Sequence, residues 1–344
     1  MQRTNGLAVQ IALSVLGALV LVALASDAFT NAVEWIGKIF GLTRSAAGAI
    51  VAAIGSSLPE TMVAFVALIV LRDPASQAIG IGAVIGAPFM LATFVFCLIG
   101  VIAIARSRQR GALHVRLNVT TFGLLLFGLT FALVIGASFA PTFAVRVSAS
   151  IAALAAYAIY IAYHMRVRGQ ESDEQPPRLR FAPRAARPPL ILVALQLLVA
   201  LTLTALASRW FVTSVAAAAA DLQFSPLLVS LFLSPIATEL PEVLNVAIWM
   251  RLRKDDLAVG NVIGAMMFQT STASAIAMLA SPWRLEFGAY AAAAGAGAAV
   301  VLVLVWTLVR RRLEAPPFAL CGILYVAYIA FMLGRTNGIW HAGP

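Results

Sequence analysis

Charge is scarce in this chain, and acid is scarcer than base: 14 Asp and Glu stand against 24 Lys and Arg in 344 residues, and charged residues make up only 11%. A soluble domain carries about 25%, so that class is excluded. Histidine and cysteine are nearly missing as well, with three and two copies. Cys97 and Cys321 offer neither a disulfide framework nor a metal-ligand spacing, and read as packing residues. His114, His164 and His341 fall at the edges of apolar runs or in the tail, and no His-Glu-x-x-His pattern occurs. A zinc enzyme is thereby excluded. The basic residues lack interleaved aromatics, which removes nucleic acid as a partner.

What is present is apolar. Hydrophobic residues make up 62% of the chain and the mean hydropathy is +0.95, the composition of an integral membrane protein. Runs of about 18 or more apolar residues can cross roughly 30 Å of hydrocarbon as helices. Ten such runs occur, at 6–26, 43–71, 77–105, 115–140, 142–165, 189–210, 226–250, 257–280, 286–309 and 316–334. They are continuously apolar rather than alternating, which excludes a barrel. The expected fold class is therefore an all-α polytopic membrane protein with ten transmembrane helices. The first run follows Arg3 and ends in small residues near Ala25 and Ser26, but it is too long for a signal core and reads as a helix.

Loop charge orients the chain. With ten crossings, eighteen of the 24 Lys and Arg fall on one side, among them Lys38, Arg44, Arg106, Arg166, Arg251 and Arg310. The other side holds Arg3, Arg72, Arg146, Arg209, Arg284 and Arg335. The richer side is expected to be cytoplasmic, with both termini outside, in a bacterial inner membrane. The one long polar connection, 166–188, carries Glu171, Asp173, Glu174 and several prolines. It reads as a cytoplasmic linker that separates 1–165 from 189–344, five runs each. Because five is odd, the second half enters from the opposite side, and similar halves form an inverted repeat.

The halves are similar where it matters. Gly55-Ser56-Ser57-Leu58-Pro59-Glu60 and Ala237-Thr238-Glu239-Leu240-Pro241-Glu242 each set a Pro-Glu pair inside an apolar run. Gly82-Ala83-Val84-Ile85-Gly86-Ala87 follows the first, and Gly260-Asn261-Val262-Ile263-Gly264-Ala265 the second. An ionisable residue inside a membrane span is a functional-site candidate by default. Proline has no N–H and clashes with the carbonyl four residues back. Pro59 should thus free the Gly55 carbonyl and Pro241 that of Ala237, and each helix is expected to break beside its glutamate. The product is a set of hard oxygens: the Glu60 and Glu242 carboxylates, the Ser56, Ser57 and Thr238 hydroxyls, and the Gly55 and Ala237 carbonyls. Such a set suits sodium, calcium or protons rather than soft metals. Gly82, Gly86, Gly260 and Gly264 read as points of close helix contact. Asn261 and Gln269 are polar residues on the helix after the second motif, and Gln269 is a candidate ligand.

These elements resemble the alpha repeats of the sodium/calcium exchanger family, within the calcium/cation antiporter superfamily. The chain looks like a divergent prokaryotic-type member with repeats at 55–91 and 237–269. In that family each repeat carries a Gly-Thr-Ser-x-Pro-Glu type sequence on a broken helix, then a Gly-Asn-x-x-Gly-Ser-Asn type sequence on the next. The resemblance implies ten helices in a 5+5 inverted-topology repeat, and secondary-active sodium/calcium exchange by alternating access. Glu60 and Glu242 match its cation-binding glutamates, Ser57 matches a ligand serine, and Ser56 and Thr238 match the residues before it. Runs 6–26 and 189–210 match its candidate moving helices.

The departures fall on the sodium sites and leave the calcium site less affected. Glu239 stands where the family has its second serine. Gly86-Ala87-Pro88 and Gly264-Ala265-Met266 replace Gly-Ser-Asn, and Leu91 and Gln269 stand where the family commonly has Asn or Asp. Glu239 also lies three residues before Glu242, on nearly one helix face. Two charges about 4 Å apart interact by roughly 4 kcal/mol at an effective dielectric near 20, so the pair is expected to hold a proton near neutral pH and to titrate as a unit. That opens proton-coupled calcium or cation exchange through Glu239 and Glu242. Alternatively, Glu239 lies at a wet entrance or pairs with a basic residue.

Other classes stay open at this level: a drug/metabolite-type carrier, which needs no paired glutamates, a channel, or a nontransporting membrane cation sensor. The expected partners are inorganic cations and the lipid bilayer. The cations are cargo, calcium with sodium or protons, and no cofactor is expected. Nothing in the residues sets an oligomeric state.

Overall fold

The computed structural model describes residues 2–39, 53–106, 113–166, 177–222 and 224–336, and no strand occurs among them. In chain order the helices are α1 (Gln2–Ile39), α2 (Ala53–Phe65, π-helical onward over Val66–Leu71), α3 (Pro74–Met90), α4 (Phe96–Arg106), α5 (Leu117–Gly136), α6 (Phe143–Arg166) and α7 (Leu190–Leu222). They continue as α8 (Pro226–Thr238), α9 (Leu240–Arg251), α10 (Asp255–Phe268), α11 (Ser274–Ala280), α12 (Phe287–Arg310) and α13 (Ala315–Thr336). A π-helical turn at Leu91–Val95 joins α3 to α4, and another at Gln269–Ala273 joins α10 to α11.

By length and composition, eight helices among the described residues can cross a membrane. They correspond to eight of the ten expected runs. The other two runs carry the Pro-Glu motifs. Run 226–250 is two short helices, α8 and α9, and run 43–71 is described only from Ala53. Residues 43–52 and the acidic linker residues Glu171, Asp173 and Glu174 lie outside the described residues, as does His341.

Two helices outrun their apolar windows. α1 extends past the expected end at 26 because the polar residues that close the window serve as anchors. The Asn31 amide and the Trp35 indole donate to the Pro177 carbonyl at 3.0 and 2.9 Å, and Arg180 grips Asp27 at 3.0 and 3.2 Å. From α7, Gln196 donates to the Ala28 carbonyl at 2.8 Å and accepts from the Phe181 N–H at 2.9 Å. The described part of the linker is thus bound to the ends of α1 and α7 rather than loose. Further along, the same two helices touch closely. Trp210 donates to Ser14 at 2.8 Å, Ser14 and Ser214 are 2.7 Å apart, and a Cβ on Gly17 would meet the Trp210 ring at 2.8 Å.

The core runs through α3, α4, α5, α10, α12 and α13, with Phe89, Phe96, Phe127 and Phe318 fully buried. Cys97 and Cys321 are free thiols at the α4–α13 contact, as expected of packing residues. One polar staple ties the end of α4 to the start of α10. Arg106 pairs with Asp255 at 2.8 Å and donates to the Met250 carbonyl, and the His114 N–H donates to Asp255 at 3.0 Å. The Asp255 side chain is 0% exposed. Asp255→Ala leaves Arg106 without its counter-ion, and its expected cost is about 3–5 kcal/mol. The neighbouring Arg116–Asp256 pair is 41% and 40% exposed, so Asp256→Ala should cost about 0–1 kcal/mol. Thermal unfolding in detergent, comparing the two variants, checks the contrast.

Candidate cation site

The two motifs behave differently as backbone. α2 runs unbroken through Pro59 and Glu60, contrary to the expected break. Proline keeps a helical φ and removes a single bond, and neighbouring helices make that tolerable in a membrane. The Thr61 hydroxyl donates to the Ser57 carbonyl at 3.1 Å, which reinforces the turn around it. The second motif does break, at Glu239, with φ −87° and ψ 0° between α8 and α9. Pro241 then falls in the first turn of α9, where its missing N–H would have had no helical partner. The Glu239 N–H donates to the Pro235 carbonyl at 2.9 Å, and its own carbonyl accepts from Val243 at 2.9 Å.

α8 lies hard against α3. A Cβ on Gly82 would meet the Leu227 carbonyl oxygen at 2.6 Å, and one on Gly86 would meet the Leu231 oxygen at 2.7 Å and Pro235 Cγ at 2.9 Å. Ser230 closes the seam by donating to the Ile79 carbonyl at 2.7 Å. The matching expectation for Gly260 fails, since a Cβ there would meet nothing within 4 Å. Close approach to α10 occurs instead at Gly123 of α5, against Ile263 at 2.8 Å. Gly86→Ala should therefore force backbone apart, at a cost of about 1–3 kcal/mol, whereas Gly260→Ala should leave the seam undisturbed. Thermal midpoints and cation uptake of the two variants test this.

α2 packs on α10 and the π-helical turn beyond it, while α8 packs on α3. Each motif helix thus leans on the helix that follows the other motif. This crossing brings the carboxyls together. Glu60 is 1% exposed, and Glu239 and Glu242 are 0% exposed. The Glu60 carboxyl lies against those of Glu239 and Glu242 and against the Thr238 hydroxyl. Gln269 donates to Glu239 Oε1 at 2.6 Å. Ser57, one turn before Glu60, is fully buried, and its hydroxyl has no partner among the described residues. The Ser56 side chain lies outside the described residues. Gly55 and Ala237 are helical, and the residue four positions after each is a proline, so neither carbonyl has its usual N–H.

Three features were missed in the residues. Pro235 inside α8 frees the Leu231 carbonyl that faces Gly86. The π-helical turns begin at Leu91 and Gln269, the two positions that depart together from the family pattern. Such turns re-aim side chains and recur at functional sites. The polar run Gln269-Thr270-Ser271-Thr272 inside an apolar helix was the available signal.

Among the described residues no three His, Cys, Asp or Glu form a ready metal cage. The carboxyls face one another instead, an arrangement that buried like charges tolerate only with protons between them. The groups brought together, three carboxyls with the Thr238 hydroxyl and the Gln269 amide, offer hard oxygen donors and no soft ones.

A helical membrane bundle with buried acid groups at a broken helix is the architecture of a secondary ion carrier. The chain belongs to the sodium/calcium exchanger protein family, whose profile matches residues 10–166 and 192–336. It is a membrane cation antiporter and not an enzyme. In fold it is similar to the crystal structure of the H+/Ca2+ exchanger CAX, at a TM-score of 0.74, with 17% identity over 96% of this chain and 87% of that one. It is also similar to the sodium-calcium exchanger NCX_Mj soaked with Na+ and Sr2+, at a TM-score of 0.60, with 22% identity over 94% and 99%. Comparison with curated protein sequences gives no match.

Proposed function

We propose that the protein exchanges a divalent cation, calcium by the hardness of its donors, for protons. The observation that carries this reading is the third carboxyl, Glu239, buried among the two that the family pattern leads one to expect. Among the described residues, the side chains acting on Glu60 and Glu239 are carboxyls, Thr238 and Gln269, with no Lys, Arg or His among them. Bare charges in such surroundings are costly, and on this reading protons keep the three-carboxyl cluster neutral when no cation is bound. A divalent cation neutralises two of the three and leaves one proton behind. Two protons therefore leave for each cation that enters, and the exchange moves no net charge. Glu239 also replaces a neutral serine oxygen of the kind sodium would use.

Sodium is the second reading, favoured by the family and by the buried, unpartnered Ser57 hydroxyl. The fold neighbours include both an H+/Ca2+ and a sodium-calcium exchanger, so likeness does not choose between them.

Ten crossings complete the arrangement: the eight long helices, the run that contains α2, and α8–α9 as one broken span. The halves 1–165 and 189–344 form the inverted repeat, with the 166–188 linker cytoplasmic and both termini outside. The family match, split at 166 and 192, supports that division. α1 and α7 pack on each other and on the motif helices, and they slide as one body to expose the site to either side in turn.

Proton release tests the coupling. Calcium added to the purified protein in weakly buffered detergent should liberate two protons per bound ion, read with a pH dye. Sodium coupling calls for calcium binding with no proton release, an outcome that ends the proton reading.

A further inference from the structure

α6 carries polar side chains that the cation site does not use. Tyr157, Tyr160 and His164 are three and four residues apart on one helix face, and all three are buried. Tyr157 and Tyr160 stack with ring centroids 6.3 Å apart, and Tyr160 meets His164 at 4.1 Å. At one end, Tyr157 touches Phe268 edge-on at 5.6 Å, next in sequence to the Gln269 that holds Glu239. At the other end, Arg116 and Asp256 are the charged groups that act on His164, and they form a half-exposed ion pair on the basic face. The stripe therefore spans the distance from the carboxyl cluster to one surface.

The Tyr157 and Tyr160 hydroxyls have no partner among the described residues. The same holds for the Asn261 amide on α10 and the Thr270 hydroxyl on the π-helical turn that packs against α6. Each such group costs several kcal/mol in a dry membrane interior, and Phe in place of Tyr would fill the same space without that cost. His164 Nδ1 donates to the Tyr160 carbonyl at 2.9 Å, which leaves Nε2 to accept.

We propose that these groups line a file of ordered water that carries protons between the Glu239–Gln269 pair and the basic face. A proton leaving the cluster passes to water, and each tyrosine hydroxyl accepts one proton as it gives up another. At His164, Nε2 takes a proton and releases it to solvent between Arg116 and Asp256. No group changes its oxidation state. This route rests on the proton-coupled reading above.

The test uses the full-length protein in two arms. Radiolytic hydroxyl footprinting in 18O water should label Tyr157 and Tyr160 despite their burial, while Tyr328, buried and bonded to the Gly288 carbonyl at 3.0 Å, stays unlabelled. In proteoliposomes, Tyr160→Phe and Tyr157→Phe should bind calcium-45 as the wild type does but slow proton-driven uptake about tenfold or more. Unlabelled tyrosines, or Phe variants with wild-type rates in a protein that does couple to protons, overturn the route alone. A wild type without proton-driven uptake overturns the route together with the exchange reading.

Discussion

Glu60→Gln and Glu242→Gln should each reduce calcium uptake to background while leaving the fold intact. Both carboxyls are buried, and they belong to different helices that meet at one point. An amide keeps the volume and one oxygen but loses the charge that a divalent ion needs. Even a loss of about 3 kcal/mol, small beside the attraction of a carboxylate for a divalent ion at an effective dielectric near 20, weakens binding more than a hundredfold. Stability should hold, because the amide keeps the shape and hydrogen-bonding capacity of a carboxyl that is neutral in the cation-free protein. Calcium-45 uptake and the thermal midpoint, taken on the same preparations, separate a lost ligand from a lost fold. A variant that keeps most of its uptake places the cation elsewhere.

Glu239→Gln should keep calcium transport and move its pH dependence. In the wild type, protons compete with the cation for three neighbouring carboxyls, so uptake rises with pH as the protons are lost. Without Glu239 the cation displaces protons from two carboxyls rather than from three that share them through hydrogen bonds, so displacement occurs at lower pH. A hydrogen bond of about 0.5–1.5 kcal/mol is lost with it, and since 1.36 kcal/mol corresponds to one pH unit, the midpoint should fall by about half a unit to one unit. Glu239→Ser, which restores the family's residue, should shift it the same way. An unchanged pH profile in both variants removes Glu239 from the coupling and leaves it a structural partner of Gln269.

The carboxyl cluster of the candidate site was legible because its chemistry is rare in its surroundings. Glu60 and Glu242 stand out in apolar runs whatever the backbone does, and the repetition of Pro-Glu in both halves marked them as partners. Helix breaking was harder to read, because proline's effect depends on its place in the helix. Pro59 is absorbed within α2, whereas the chain opens at Glu239 and sets Pro241 into a fresh first turn, where its missing N–H matters little. Glycine spacing misled at Gly260 for a similar reason: the four-residue period shows where a helix can be approached closely, but not whether a neighbour comes. Helix ends were misjudged where tertiary contacts give polar residues a role, as Asp27 and Asn31 have at the end of α1. The contact between Gln269 and Glu239, 30 residues apart, depends on a π-helical turn, and no local propensity announces one.

Proton coupling is the central claim, and transport into proteoliposomes tests it most directly. Calcium-45 uptake would be followed with a pH gradient and no sodium, with a sodium gradient at equal pH, and with neither. Proton exchange requires uptake driven by the pH gradient alone, two protons moved per calcium, and no response to an imposed membrane potential. Uptake that needs the sodium gradient and ignores the pH gradient would contradict it.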